Sequence, residues 1–177
     1  MKHVLKLIDG LLVDVKAFEP QEWYAVENLG NPRYGKGKLR KEVFGWSKDR
    51  AGIYFVSCKN HTALERLIGA GPIRKIFYVG RSNTFSQRIA GHFKEANPNS
   101  ASLAYNMTIA KLGIMDKTRK QNMDSPPFRK VYEEIVSFLQ RSAVVAFHFE
   151  ENPTRQALKE ILFAEKYNTT FNTWATH

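Results

Sequence analysis

Short apolar runs divided by turn-forming residues make up most of this chain, and their period changes several times along it. Residues 51–58, AGIYFVSC, are almost continuously apolar and rich in β-branched and aromatic side chains, the pattern of a buried strand. Residues 73–79, closed by Gly80, and residues 143–149 read as two further strands. Helical spacing appears where Phe85, Ile89 and Phe93 recur every four residues, which predicts a helix over 84–96 with Asn83 placed to cap it. Further helices are predicted over 61–68, ended by GAGP at 69–72, and over 100–112 and 128–140. Pro153 suits the first turn of a last helix running to residue 167, before an extended tail.

The first fifty residues are less regular. Two apolar runs flank Asp9-Gly10 within residues 3–17, a hairpin signal, with a helix as the competing reading. Residues 31–41, NPRYGKGKLRK, read as a basic, turn-rich loop leading into a strand around 43–46. A second polar, basic loop is expected over 113–127, ended by two prolines. No internal repeat or low-complexity tract interrupts the chain. The pattern predicts an α+β domain: a small mixed or antiparallel sheet of three or slightly more strands, flanked by helices. Residues 1–50 read as an N-terminal extension packed on a domain of residues 51–177.

Composition narrows the class. The chain has 177 residues, 43% of them hydrophobic, which suffices for one domain with a real core. The single cysteine, Cys58, cannot form an internal disulfide; it points to a reducing, cytoplasmic setting and, within its apolar strand, to a buried structural thiol. Lys6, Asp9 and Asp14 break the apolar N-terminus too often for a signal peptide, and no run approaches the length of a membrane span. The formal net charge is +10, from 27 basic and 17 acidic residues, which invites a polyanionic partner. That charge is segregated: residues 51–130 hold 13 basic and 4 acidic residues, whereas the rest of the chain is nearly balanced. The histidines at 3, 61, 92, 148 and 177 are too scattered for a zinc motif, and no P-loop or dinucleotide fingerprint occurs. The acidic pairs Glu133-Glu134 and Glu150-Glu151 read as solvated ends of elements.

Five pieces stand out in order: Gly52-Ile53-Tyr54, Tyr78-Val79-Gly80, Arg88 with His92, Glu160, and Asn172. Taken alone, each has an ordinary structural reading. The tyrosines fit packing residues, Glu160 a solvated helix charge, Arg88 and His92 a basic helix face, and Asn172 a turn residue. Together they resemble the GIY-YIG nuclease family, which includes homing endonucleases, several restriction enzymes and the incision nuclease domain of bacterial nucleotide excision repair. The resemblance covers residues 51–173. The chain departs from the family pattern in its 23-residue spacer between Tyr54 and Tyr78, about twice the usual length, implying an insertion at 59–75 beside a second at about 113–127. It also has Asn168-Thr169-Thr170 where a proline often precedes the closing Asn.

The resemblance implies divalent-metal-dependent hydrolysis of DNA phosphodiester bonds. That chemistry needs a positioned water, neutralised charge on the phosphoryl oxygens and a stabilised leaving oxygen. Glu160 would anchor Mg²⁺ or Mn²⁺, because a hard cation keeps its waters and accepts few protein ligands. Arg88 would hold the scissile phosphate, its planar fork matching two oxygens. His92, four residues on along the same helix face, would transfer a proton or contact phosphate. Tyr54 and Tyr78 would be active-site residues, with Tyr54 as general base, although a phenol's pKa of about 10 needs lowering for that role. Arg81, Lys117, Arg119 and Lys120 would contact nucleic acid; Gly52 and Gly80 would shape the strand ends, and Asn172 would brace the site. A non-catalytic nucleic-acid-binding module of the same fold, or a nuclease acting on RNA, is the alternative. Sequence preference would have to come from residues 1–50 or 113–127, and dimerisation on the substrate would bring two active sites to the two strands.

Overall fold

The computed structural model describes residues 2–29, 39–69, 71–93, 102–114 and 118–172. The chain opens with helix α1 (Lys2–Ala17) and a two-residue strand β1 (Tyr24–Ala25), followed by a 3₁₀ turn (Val26–Leu29) and a π-helical turn (Leu39–Val43). Strand β2 (Gly52–Cys58), helix α2 (His61–Ile68), strand β3 (Tyr78–Ser82) and helix α3 (Phe85–Phe93) come next. Helices α4 (Ser102–Leu112), α5 (Arg119–Asp124) and α6 (Pro126–Ser142) lead to strand β4 (Ala143–Phe149) and helix α7 (Pro153–Tyr167). The four strands form one antiparallel sheet in the order β1-β4-β2-β3, so β3 is an edge. The sheet is therefore wholly antiparallel rather than mixed, and has one strand more than the three plainly visible in the sequence.

Side-chain alternation divides β2 between two cores. Tyr54, Val56 and Cys58 join Tyr78, Phe85, Ile89 and Phe93 with residues of α2, α4 and α6 on one face. Ile53 and Phe55 face the other way, onto Phe163 and Ala164 of α7 and Val15 of α1. All seven residues of β2 are buried, which explains its continuous apolar run. Full burial of each such large side chain contributes roughly 1.5–3 kcal/mol. Among the described residues, no helix is long and apolar enough to cross a membrane.

Several expected elements are different in the structure, each for a tertiary reason. Residues 3–17 belong to the helix α1, not to a hairpin. Leu11 and Val15, four apart, are buried, and Lys166 of α7 donates to the carbonyls of Val15 (3.1 Å), Lys16 (3.2 Å) and Phe18 (2.5 Å). A cation from another helix thus satisfies the terminal carbonyls and complements the dipole, and holds a helix despite Gly10 in its interior. No strand forms around 43–46; the Trp46 N–H bonds the Arg40 carbonyl at 2.9 Å and closes a turn. Strand β3 begins at Tyr78, not at residue 73. Side chains intercept the preceding backbone: Glu65 accepts from Ile73 N–H (3.0 Å), Thr170 from Arg74 N–H (3.3 Å), and Ser57 donates to the Lys75 carbonyl (2.5 Å). The presumed loop at 113–127 contains α5, started by a capping box in which Thr118 and Gln121 exchange side-chain and backbone bonds. The described residues among the first fifty belong to the fold: α1 covers a sheet face, β1 is a strand of the sheet, and Val26 and Phe44 are buried in the core.

A second cluster of charges fastens α1 to this frame. Lys159 of α7, 3% exposed, reaches His148 Nε2 at 2.9 Å, Glu150 at 3.1 Å and Asp14 of α1 at 3.3 Å. Burial, and then the neighbouring Lys159, push His148 down to about 4. Burial works against the Glu150 carboxylate, yet its bonds to Arg155 and Lys159 prevail and hold it below the usual range. Both shifts have the same sign. An unfolded His148 takes a proton near pH 6.5 and the folded one near 4, so acidification through that window favours the unfolded chain. The thermal midpoint is expected to fall from pH 6.5 to 4, and to fall less in His148→Gln; equal slopes in calorimetric scans would refute this role for His148.

Candidate active site

Four of the singled-out residues converge on one face of the sheet. Tyr54 lies in the middle of β2, paired with Gly80 of β3, and its ring crosses directly over that glycine. A Cβ at Gly80 would collide with the Tyr54 ring and hydroxyl, so only glycine lets this tyrosine lie flat. Gly52 has a comparable restriction: its φ of +146° suits glycine, and a Cβ would strike the His148 carbonyl oxygen. The Tyr54 hydroxyl lies 2.7 Å from His92 Nε2 and accepts the Arg88 Nε–H at 3.3 Å. Tyr78 packs beside both, its ring centroid 6.0 Å from that of Tyr54 and 5.9 Å from that of His92.

Helix α3 supplies Arg88 and His92 from one face, and a distant segment fixes its start. Asp49 accepts hydrogen bonds from the Ser86 N–H, at 3.1 Å, and from the Ser86 hydroxyl, while the Arg50 carbonyl takes the Phe85 N–H at 3.0 Å. Asn83 precedes the helix by two residues, and the capping expected of it falls to Asp49 instead. Asp49 is the positioning residue that sequence reasoning missed. Nothing local marks it, because its partner lies 37 positions away.

Burial sets the protonation states. Tyr54 and His92 are 1% and 2% exposed. Burial, then Tyr78, raise the Tyr54 phenol well above its ordinary range, and the opposing charge of Arg88 does not compensate. Burial, then the charges of Arg88 and Arg119, hold His92 far below 6.5, so its ring is neutral at physiological pH. Tyr54 and His92 Nε2 share one buried hydrogen bond whose donor depends on the ring tautomer, and Nδ1 is a buried atom with no hydrogen-bond partner among the described residues.

Glu160 and Arg81 form the second half of the site. Alternation along β3 turns Tyr78 and Gly80 toward Tyr54 and Arg81 toward α7, where its Nε meets Glu160 Oε2 at 3.2 Å. Glu160 therefore does not touch the tyrosine cluster; the two groups lie on opposite sides of the edge strand. Arg88 couples them, since its charge acts on Glu160 as well as on Tyr54. Burial raises the Glu160 carboxyl above its usual value against the pull of Arg81 and Arg88. A largely buried hard oxygen donor of this kind fits a cation that keeps most of its waters. It does not fit zinc, and among the described residues no group of three His, Cys, Asp or Glu side chains could hold a metal.

The tail locks the edge. Asn168 takes the left-handed conformation (φ +46°) that ends α7 and turns the chain back along β3. Asn172 then grips Val79 at both ends, accepting its N–H at 2.8 Å and donating to its carbonyl at 2.6 Å. Arg119, at the start of α5, lies half-buried over the Tyr105 ring, 4.3 Å from its centroid, with its charge felt by His92 and Arg88. Lys120 is exposed on the same helix, and Lys117 lies outside the described residues.

No family model matches the chain, and no curated protein and no solved structure matches it either.

The neutral state of His92 is directly observable. Nitrogen chemical shifts of the ring should show a neutral imidazole down to pH 6, and Tyr54→Phe should perturb Nε2 specifically. A ring that titrates near 6.5 would contradict the buried hydrogen bond.

Proposed function

We propose that this chain is a divalent-metal-dependent endonuclease of the GIY-YIG type, hydrolysing DNA phosphodiester bonds at the edge of β3. The observation that carries this reading is the linked set Arg88–Tyr54–His92, a cation, a phenol and a neutral imidazole in hydrogen-bonded sequence, with Arg88 also acting on Glu160. A packing role alone gives no reason to bury an arginine's hydrogen bond beside a neutral histidine and a carboxylate at the same edge.

In this mechanism the scissile phosphate lies against Arg88, whose terminal nitrogens donate to two of its oxygens. Tyr54 takes a proton from the attacking water as its own O–H passes to His92 Nε2, so no free phenolate is required. The water oxygen bonds to phosphorus, and the leaving sugar oxygen departs and gains a proton from solvent. His92 is a weak base in the empty site because burial, and then the charges of Arg88 and Arg119, disfavour an added proton. A phosphate beside those arginines offsets their charge and makes the imidazole more basic when substrate is bound. Held by Glu160, Mg²⁺ or Mn²⁺ would supply positive charge for the phosphoryl and leaving oxygens. Arg81 would release Glu160 to that ion and contact the phosphate chain.

The test combines stability with activity. Supercoiled plasmid and single-stranded or branched DNA, with RNA counterparts, are incubated with Mg²⁺ or Mn²⁺ and with EDTA. Wild type should cleave DNA only with metal, and His92→Gln should lose roughly 10²–10⁴-fold in rate. Glu160→Gln should abolish cleavage without lowering the thermal midpoint, because burial already disfavours the charge it removes. Mg²⁺ should raise the midpoint of wild type and not of Glu160→Gln. Cleavage by Glu160→Gln at the wild-type rate would defeat the assignment; salt-sensitive binding without any cleavage would favour the non-catalytic module.

A further inference from the structure

The sheet face that carries Tyr54 continues past the tyrosines to the end of β4. Phe149, paired with Gly52, is 42% exposed there. Phe85 links it to the site: its ring centroid lies 6.4 Å from that of Tyr54 and 6.1 Å from that of Phe149. The Arg50 guanidinium carbon sits over the Phe149 ring, 3.3 Å from its centroid, and Trp46 meets the same ring edge-on at 5.8 Å. Arg50 is exposed, and among the described residues no carboxylate pairs with its guanidinium.

This pair is held in place by the backbone that holds α3. The Arg50 carbonyl accepts from Phe85, Asp49 accepts from both Ser86 and the Arg50 N–H, and the Ala51 carbonyl takes the Glu150 N–H at 3.1 Å. The Arg50 backbone is thus fixed relative to α3, whose Arg88 lies one turn beyond Phe85. The Arg50 side chain is exposed, rests on an apolar base, and has no carboxylate partner among the described residues. That combination recognises a flat ring attached to an anionic backbone, because guanidinium planes and aromatic rings stack on nucleobases while the charge draws the phosphate.

We propose that Arg50 and Phe149 form a stacking subsite for a nucleobase flanking the scissile phosphate. The proposal rests on the nuclease reading of the tyrosine site. It assigns to residue 50, in the N-terminal segment, a part in holding the substrate strand.

The experiment uses the full chain in EDTA, so that no cleavage occurs, and short single-stranded DNA carrying 2-aminopurine at successive positions. A parallel set in RNA shows whether the subsite accepts both sugars. Wild type should quench the fluorescence at one position. Arg50→Ala and Phe149→Leu should lose that quenching and bind about tenfold more weakly, the loss expected for one stacked base. Arg50→Lys keeps the charge without the plane, and should retain the salt dependence of binding while losing the quenching. Wild-type quenching and affinity in Arg50→Ala would overturn the subsite. If the wild type meanwhile cleaves plasmid with Mg²⁺, the nuclease reading survives that result. A wild type that neither binds nor cleaves any nucleic acid overturns both.

Discussion

Two polar groups removed from water together, the Tyr54 hydroxyl and the His92 imidazole, govern the architecture around them. Both are almost wholly buried in the free protein, so each relies on protein partners, and an unpaired buried group would cost about 1–3 kcal/mol. That pairing is possible only if β2 and β3 hold Tyr54 over a residue without a side chain, which is the place of Gly80. It also requires α3 to enter at one angle, which Asp49 and Arg50 set through the helix's first amides. Asn172 completes the arrangement by fixing Val79 of β3 from its open side. The site is assembled from segments spread over more than a hundred residues.

Charge is distributed about the same edge strand in a way that suits opposing tasks. Arg88 and Arg119 bring positive charge to the tyrosine side, where it adds to burial in holding down the basicity of His92. On the other side the partly buried carboxylate of Glu160 is held by Arg81. The segregation of basic residues in the sequence thus acquires a structural form. The basic segment supplies β3, α3 and α5, and the nearly balanced remainder supplies α7 and its charge-paired contact with α1.

Local patterns in the chain were readable where tertiary structure agreed with them. The continuous apolar run of β2 and the capped helix α7 follow from their own residues, as do α2 with Asn60 accepting from Ala63 N–H and the strand β4. The failures share a cause. Helix α1 depends on Lys166, the late start of β3 on Glu65, Thr170 and Ser57, and the cap of α3 on Asp49, all remote in sequence. The start of α5 was legible in Thr118-x-x-Gln121 and was obscured by the polar, proline-ended stretch around it. For the candidate site, residue types and order were visible in the sequence. Its division by β3, with Glu160 apart from the tyrosines, follows from strand alternation, which the early placement of β3 left open.

In the proposed mechanism Tyr54 and His92 act as one unit in moving the proton of the attacking water. Single-turnover cleavage of supercoiled plasmid by wild type, Tyr54→Phe, His92→Gln and the double variant tests it directly. Members of one relay are strongly non-additive, so the double variant should cleave about as slowly as the slower single variant. Rate losses that multiply in the double variant, or variants that cleave as fast as wild type, would contradict the account.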